Sequence, residues 1–235
     1  MNQVLLIDKP ADWTSFDVVA KIRSAARTIS GNKKIKVGHA GTLDPFATGL
    51  LIVLIGDETK KQDNYMKQDK EYEATLKLGF TSTTGDPEGA ITSFRHSEPG
   101  EESRFTGPGS FVPTQDDVQV ALKGLQGTIS QTPPIYSAIK VDGQRAYKLA
   151  REGKIPEMKP RQINIYELQI LSYQFPMLEI RVKCSSGTYI RTLAEDIGKA
   201  LGTGAYLTAL RRTKIGEYDI SNALTVEQAL KNLQK

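Results

Sequence analysis

The sequence predicts an α+β fold built on a mixed, mainly antiparallel sheet. Short apolar or alternating stretches at residues 3–8, 50–55, 72–80, 163–171 and 177–184 have the look of strands. Stretches with helical apolar spacing lie among them, several opened by a threonine cap. Strand hairpins and helices are interleaved along the chain, the pattern of α+β architecture.

Taken in order, residues 3–8 form an opening strand. Thr14 and Asp17 make a capping pair for a helix whose apolar positions are Val18, Val19, Ile22, Ala25, Ala26 and Ile29, and Gly31 stops it. The run Leu50 to Ile55 is a buried strand, and the polar stretch from Asp57 to Lys67 is helical. Tyr72 to Phe80 alternates as a strand does. Residues 95–113, rich in Ser, Glu, Gly and Pro, are expected to form a mobile surface loop. Thr114 caps a short helix through Leu122. Gln144 to Glu152 reads as a helix ended by Gly153. Ile163–Leu171 and Met177–Cys184 read as paired strands. Thr188 opens an amphipathic helix with the stripe Ile190, Leu193, Ala194, Ile197 and Leu201, and Thr225 caps a last helix to Leu233. There is no internal repeat.

Composition narrows the function classes. The 235 residues suit one large domain or two small ones, and 39% hydrophobic with 25% charged residues describes a soluble globular chain. No apolar run is long enough to span a membrane, and the N-terminus lacks a signal peptide's basic region and cleavage site. The single cysteine, Cys184, excludes an internal disulfide and fits a reducing cytoplasm. It alternates with basic residues in a strand and reads as a packed side chain. His39 and His96 have no metal-ligand spacing, and no phosphate-binding loop or dinucleotide fingerprint is present. The net charge of +4 is mild, and the pI is near 9.0. The basic residues nevertheless cluster at Lys33, Lys34 and Lys36, at Lys60 and Lys61, at Lys159 and Arg161, and at Arg211, Arg212 and Lys214. Such clusters suit a phosphate backbone as well as a solvated surface.

The stretch Val37-Gly38-His39-Ala40-Gly41-Thr42-Leu43-Asp44-Pro45-Phe46-Ala47-Thr48-Gly49-Leu50-Leu51 stands apart. It sets one carboxylate in a glycine-rich loop closed by proline. Pro45 biases Asp44 toward extended backbone, and the following apolar strand anchors the loop. A loop held this way can keep one acid in one place, as a catalytic nucleophile requires. Local chemistry alone equally allows a simple Asp-Pro turn.

This stretch resembles the catalytic motif of the TruB family of tRNA pseudouridine synthases, roughly G-H-x-G-T-L-D-P-x-A-T-G-L-L, at every defined position. Further blocks extend the resemblance over nearly the whole chain. They are Asp8-Lys9-Pro10-Ala11-Asp12-Trp13-Thr14-Ser15; Lys70-Glu71-Tyr72-Glu73-Ala74 with Gly79, Thr81, Thr83, Asp86 and Gly89; Gln131 to Lys140 with Gly143, Tyr147, Ala150 and Arg151; and Cys184 to Leu193 with Leu210-Arg211-Arg212. Asp12 replaces the family's usual glycine, which a left-handed Asp can tolerate.

The resemblance implies a pseudouridine synthase fold with a central catalytic cleft. It implies isomerisation of uridine to pseudouridine at position 55 of the tRNA T-loop, without cofactor or metal. Its implied catalytic residues are Asp44, Tyr72 and Arg191, with Arg191 as the ion-pair partner of Asp44. His39 is implied to stabilise everted nucleotides and Leu210 to pack near the base. Lys9 and Lys140 are implied either to buttress the site or to contact phosphate. The chemistry leaves Asp44 two roles, nucleophile or base at the ribose C2′ hydrogen. Residues 1–214 would be the catalytic domain. Residues 215–235 would be a short tail instead of the RNA-binding PUA domain of many members. The expected partner is the tRNA T stem-loop, acted on by a cytoplasmic monomer that needs no membrane and no protein partner. An RNA-binding, tRNA-folding chaperone and an rRNA-directed synthase are the competing readings.

Overall fold

The computed structural model describes residues 1–94, 112–141 and 143–234. Most of the loop expected at 95–113 therefore lies outside the described residues. Strand β1 (Gln3–Lys9) leads into α1 (Ser15–Ser30), β2 (Val37–His39) and β3 (Thr48–Ile55). A 3₁₀ turn (Gly56–Lys61), α2 (Gln62–Met66), β4 (Lys70–Leu78), β5 (Phe80–Ser82) and β6 (Ile91–Ser93) follow. Next come α3 (Gln115–Gly124), β7 (Gly127–Gln131), β8 (Lys140–Val141), β9 (Gln144–Arg145) and α4 (Ala146–Arg151). The chain closes with β10 (Arg161–Gln174), β11 (Met177–Cys184), α5 (Ile190–Ala200), β12 (Ala205–Ile215), β13 (Tyr218–Asp219) and α6 (Val226–Leu233).

These elements divide into two compact units. The first contains Met1–Glu73, Lys183–Ser186 and Ala209–Lys235, and the second contains Ala74–Val182 and Gly187–Thr208. In the first, β3 pairs antiparallel with β1 and with β2 and parallel with β12. This is the mixed, mainly antiparallel sheet expected. β3 is apolar at almost every position because both of its faces are covered. Leu51, Val53 and Ile55 pack with Val18, Val19, Ile22 and Ala26 of α1 and Val226, Ala229 and Leu233 of α6. Leu50, Ile52 and Leu54 pack with Ala40 and Ile215. In the second unit β10 pairs antiparallel with β7, from Arg161↔Gln131 to Ile165↔Gly127. Helices α3 and α5 bury Val118 and Leu122, and Leu193, Ala194 and Ile197.

The caps at Thr14, Thr114 and Thr225 form as the sequence predicts, each a reciprocal capping box. Gly31 ends α1 in the left-handed conformation, and Asp12 adopts φ 64°. Three expectations shift. The stretch 57–67 splits into a 3₁₀ turn and a short helix. Gln144 and Arg145 join a two-residue hairpin with Lys140 and Val141 before α4 begins. Thr188 does not cap α5: the carboxamide of buried Gln131 accepts from Tyr189 N (2.8 Å) and donates to Tyr189 O (3.0 Å), so a side chain from β7 fixes the helix start.

Candidate active site

Asp44, Tyr72, His39, Leu210 and Lys9 all belong to the first unit, whereas Arg191 and Lys140 belong to the second. The first unit therefore builds a site whose geometry can be followed residue by residue.

Asp44 sits half-buried in the loop between β2 and β3, and a turn closes beneath it where Ala47 N donates to Asp44 O (3.1 Å). Two buried cations bracket this loop. Lys9, on β1, is 0% exposed. Its ammonium donates to the carbonyls of Pro10 (2.8 Å), Trp13 (2.6 Å) and Pro45 (3.1 Å). It thereby ties the turn after β1 to the residue following Asp44. It has no exposed surface to offer a phosphate. Arg212, on β12, is 1% exposed. Its guanidinium donates to Leu50 O (2.8 Å), Gly41 O (3.1 Å) and Thr42 O (3.4 Å).

Sheet register explains why the two cations meet the same loop. Lys9 lies opposite Gly49 of β3, and Gly49 lies opposite Arg212 of β12. Cross-strand neighbours point to one face, so both side chains lie on the same side of the sheet. Gly49 has φ +104°, and a Cβ there would come within 2.3 Å of Arg212 O. Only glycine fits.

The electrostatics follow from burial. Desolvation lowers Lys9 from 10.5 to about 8, with the carboxylates of Asp12 and Asp44 opposing the shift. Burial pushes the Tyr72 hydroxyl up, against the pull of the Arg212 guanidinium. Tyr72 is thus a neutral phenol at physiological pH. Tyr72 is 8% exposed, as is Leu210. His39 is pulled down chiefly by burial, then by Arg212, against the Gly41 backbone contact, so its ring is neutral at pH 7. Its backbone carbonyl accepts from Gln62 Nε2 (3.0 Å), and its buried Nδ1 has no hydrogen-bond partner.

In the second unit, Arg191 opens α5 and is 4% exposed. It pairs with buried Asp86 (3.5 Å) and donates to Thr84 O (3.0 Å) and Tyr136 O (2.9 Å). Three of the resembling blocks, those around Asp86, Tyr136 and Arg191, thus converge on one guanidinium. Lys140 is exposed on its hairpin.

The structure commits some of the basic clusters. Arg211 forms a two-point pair with Asp8 (2.7 and 3.1 Å), and Lys214 pairs with Asp219. Lys60 and Lys61 pair with Asp57 and Glu58. Arg161 donates to Gly187 O and lies over the Tyr189 ring. Lys33, Lys34 and Lys36 remain exposed. The sequence reading missed Arg212 and Asp86 as site residues. Arg212 looked like one of several surface charges, and only its lining up with Gly49 would have marked it as internal.

The fold is shared with solved structures. An archaeal box H/ACA sRNP Nop10-Cbf5 complex matches with a TM-score of 0.66 at 25% identity, over 98% of this chain and 53% of that chain. A Cbf5-Nop10-Gar1 complex matches with a TM-score of 0.68 at 27% identity, over 97% of this chain and 53% of that one. The chain thus spans about half the length of these solved chains. The family model described as TruB family pseudouridylate synthase (N terminal domain) matches residues 27–190, which makes the chain a pseudouridine synthase by class. The model described as tRNA pseudouridylate synthase B C-terminal domain matches residues 191–235. Similar curated proteins, each called tRNA pseudouridine synthase B, include one from Parabacteroides distasonis, 47% identical over 97% of this chain and 91% of its own length. Another, from Flavobacterium johnsoniae, is 43% identical over 99% of this chain and 96% of its own length. The chain belongs to the TruB family of pseudouridylate synthases. Among the described residues no helix is long and apolar enough to cross a membrane.

Proposed function

We propose that this enzyme isomerises a uridine of the tRNA T-loop, position 55, to pseudouridine, with Asp44 as its essential carboxylate. The observation that carries the reading is the Asp44 loop itself: one acid, held on a backbone that two buried cations grip on either side.

The reaction breaks the bond between uracil N1 and ribose C1′. The base turns, C5 bonds to C1′, the hydrogen on C5 leaves and N1 gains one. Atoms balance without cofactor or metal. Asp44 either attacks C1′ or removes the C2′ hydrogen, and deuterium at C2′ slows only the second route. Tyr72, neutral and next to Arg212, supplies a ring face for the base and a hydroxyl for proton movement. Arg191 is the reaction's cationic residue in this reading, and Leu210 packs beside the base. His39 stabilises nucleotides turned out of the loop, a step that takes a few kcal/mol. Lys140 contacts the RNA backbone. The enzyme works as a monomer, in the cytoplasm, with no protein partner. Its single cysteine, buried Cys184, asks for no oxidising compartment.

The test is Asp44→Asn. Pseudouridine formation is expected to vanish while tRNA binding persists. Retained product would remove Asp44 from the chemistry, and lost binding would make it a binding residue instead.

A further inference from the structure

We propose that Arg212 is a positioning residue for the reaction: its buried guanidinium joins both ends of the Asp44 loop and so sets where the carboxylate stands. The proposal rests on Asp44 being the reacting carboxylate.

The fork geometry carries it. A guanidinium has five N–H donors in a rigid plane. Here Nε–H is aimed at Leu50 O, after the loop, while Nη1 and Nη2 reach Thr42 O and Gly41 O, before it. Asp44 lies between these anchor points in sequence. One planar group therefore spans the loop's entry and its exit. Its charge also pulls the Tyr72 hydroxyl down against the effect of burial. Gly49 lets the strand that carries Arg212 come close to the loop's end: a Cβ there would strike the Arg212 backbone. With 1% exposure, Arg212 has no surface for a phosphate. Its sequence neighbour Arg211 is tied to Asp8 and Thr48. A lysine at 212 would keep the charge but lose the fork, so it cannot hold all these acceptors at once.

The test compares Arg212→Lys and Arg212→Gln with the native enzyme, and uses Lys214→Gln as a control for charge loss on the same strand. Single-turnover rate, tRNA Kd, KM and thermal midpoint are measured for each. Misplacing a reacting group by about 1 Å lowers rate about 100-fold. Folded Arg212→Gln is expected to lose about that much in kcat, and Arg212→Lys at least about 10-fold, with Kd within about 3-fold of native. Lys214→Gln is expected to keep the native kcat. The pH profile gives a readout that a purely structural role would not move: without the guanidinium's pull, a Tyr72-dependent limb shifts to higher pH in Arg212→Gln, and the shift is absent when Tyr72→Phe is combined with it. The proposal falls if folded variants keep the native rate, if the whole loss appears in Kd, or if neither variant folds. An active Asp44→Asn enzyme would instead remove the reading on which the proposal stands.

Discussion

Lys9 and Lys70 are both buried and both are lowered from 10.5 to about 8, chiefly by desolvation. Between those two values the unfolded chain binds more protons than the folded one, so stability rises with pH across that window. Tyr72 acts in the opposite sense higher up, because its raised hydroxyl ionises first in the unfolded chain. The urea midpoint is therefore expected to rise from about pH 7.5 to about pH 9.5 and to fall beyond about pH 10.5. A midpoint that is flat or falling over the first interval would contradict the account. At Lys9 a second measurement applies. Lys9→Met leaves three carbonyls without their donor, and about 3–5 kcal/mol of destabilisation is expected by urea titration. The resembling motifs made Asp44, Lys9 and Tyr72 legible as residues to watch. The contacts of Arg212 were not legible, since a run of arginines on a strand looks alike whether it faces solvent or core.

Local signals fixed most of the elements. Threonine caps, helix-stopping Gly31 and the apolar run of β3 depend on chemistry within a few residues of chain, and all appear where the sequence predicts. What local chemistry does not encode is pairing. β2, β7 and most of β12 are too short or too polar in pattern to declare themselves, and they exist because a neighbouring strand takes their hydrogen bonds. The start of α5 is of the same kind, set by Gln131 from another strand. At this scale, Thr225→Ala is expected to lower stability by about 1 kcal/mol, since it removes the cap of α6 alone. Gly49→Ala is expected to be far worse, about 3 kcal/mol or more, because it combines an unfavourable backbone angle with a clash against β12. A thermal melt of each variant separates a cap from a close approach, and equal losses would contradict the sheet register described.

On the scale of the whole molecule, the exposed lysines are the candidates for holding RNA. Lys33, Lys34, Lys36 and Lys140 are exposed, while Lys60, Lys61, Arg211 and Lys214 already have carboxylate partners. Binding is expected to weaken with salt, log K falling by roughly 0.7–0.9 per decade of salt for each phosphate contact. Neutralising Lys33, Lys34 and Lys36 together is expected to flatten that slope, whereas neutralising Lys60 and Lys61 is expected to change it less. Fold and family were legible because the motif blocks run in order along the chain. The division of the basic surface between RNA and internal pairing required coordinates. The most direct measurement of the central claim is a map of pseudouridine in a tRNA transcript after incubation with the purified protein and nothing else. The account predicts one modified uridine, in the T-loop, made by the native chain and not by Asp44→Asn at equal tRNA occupancy. Modification by Asp44→Asn, or none by the native chain, would contradict it.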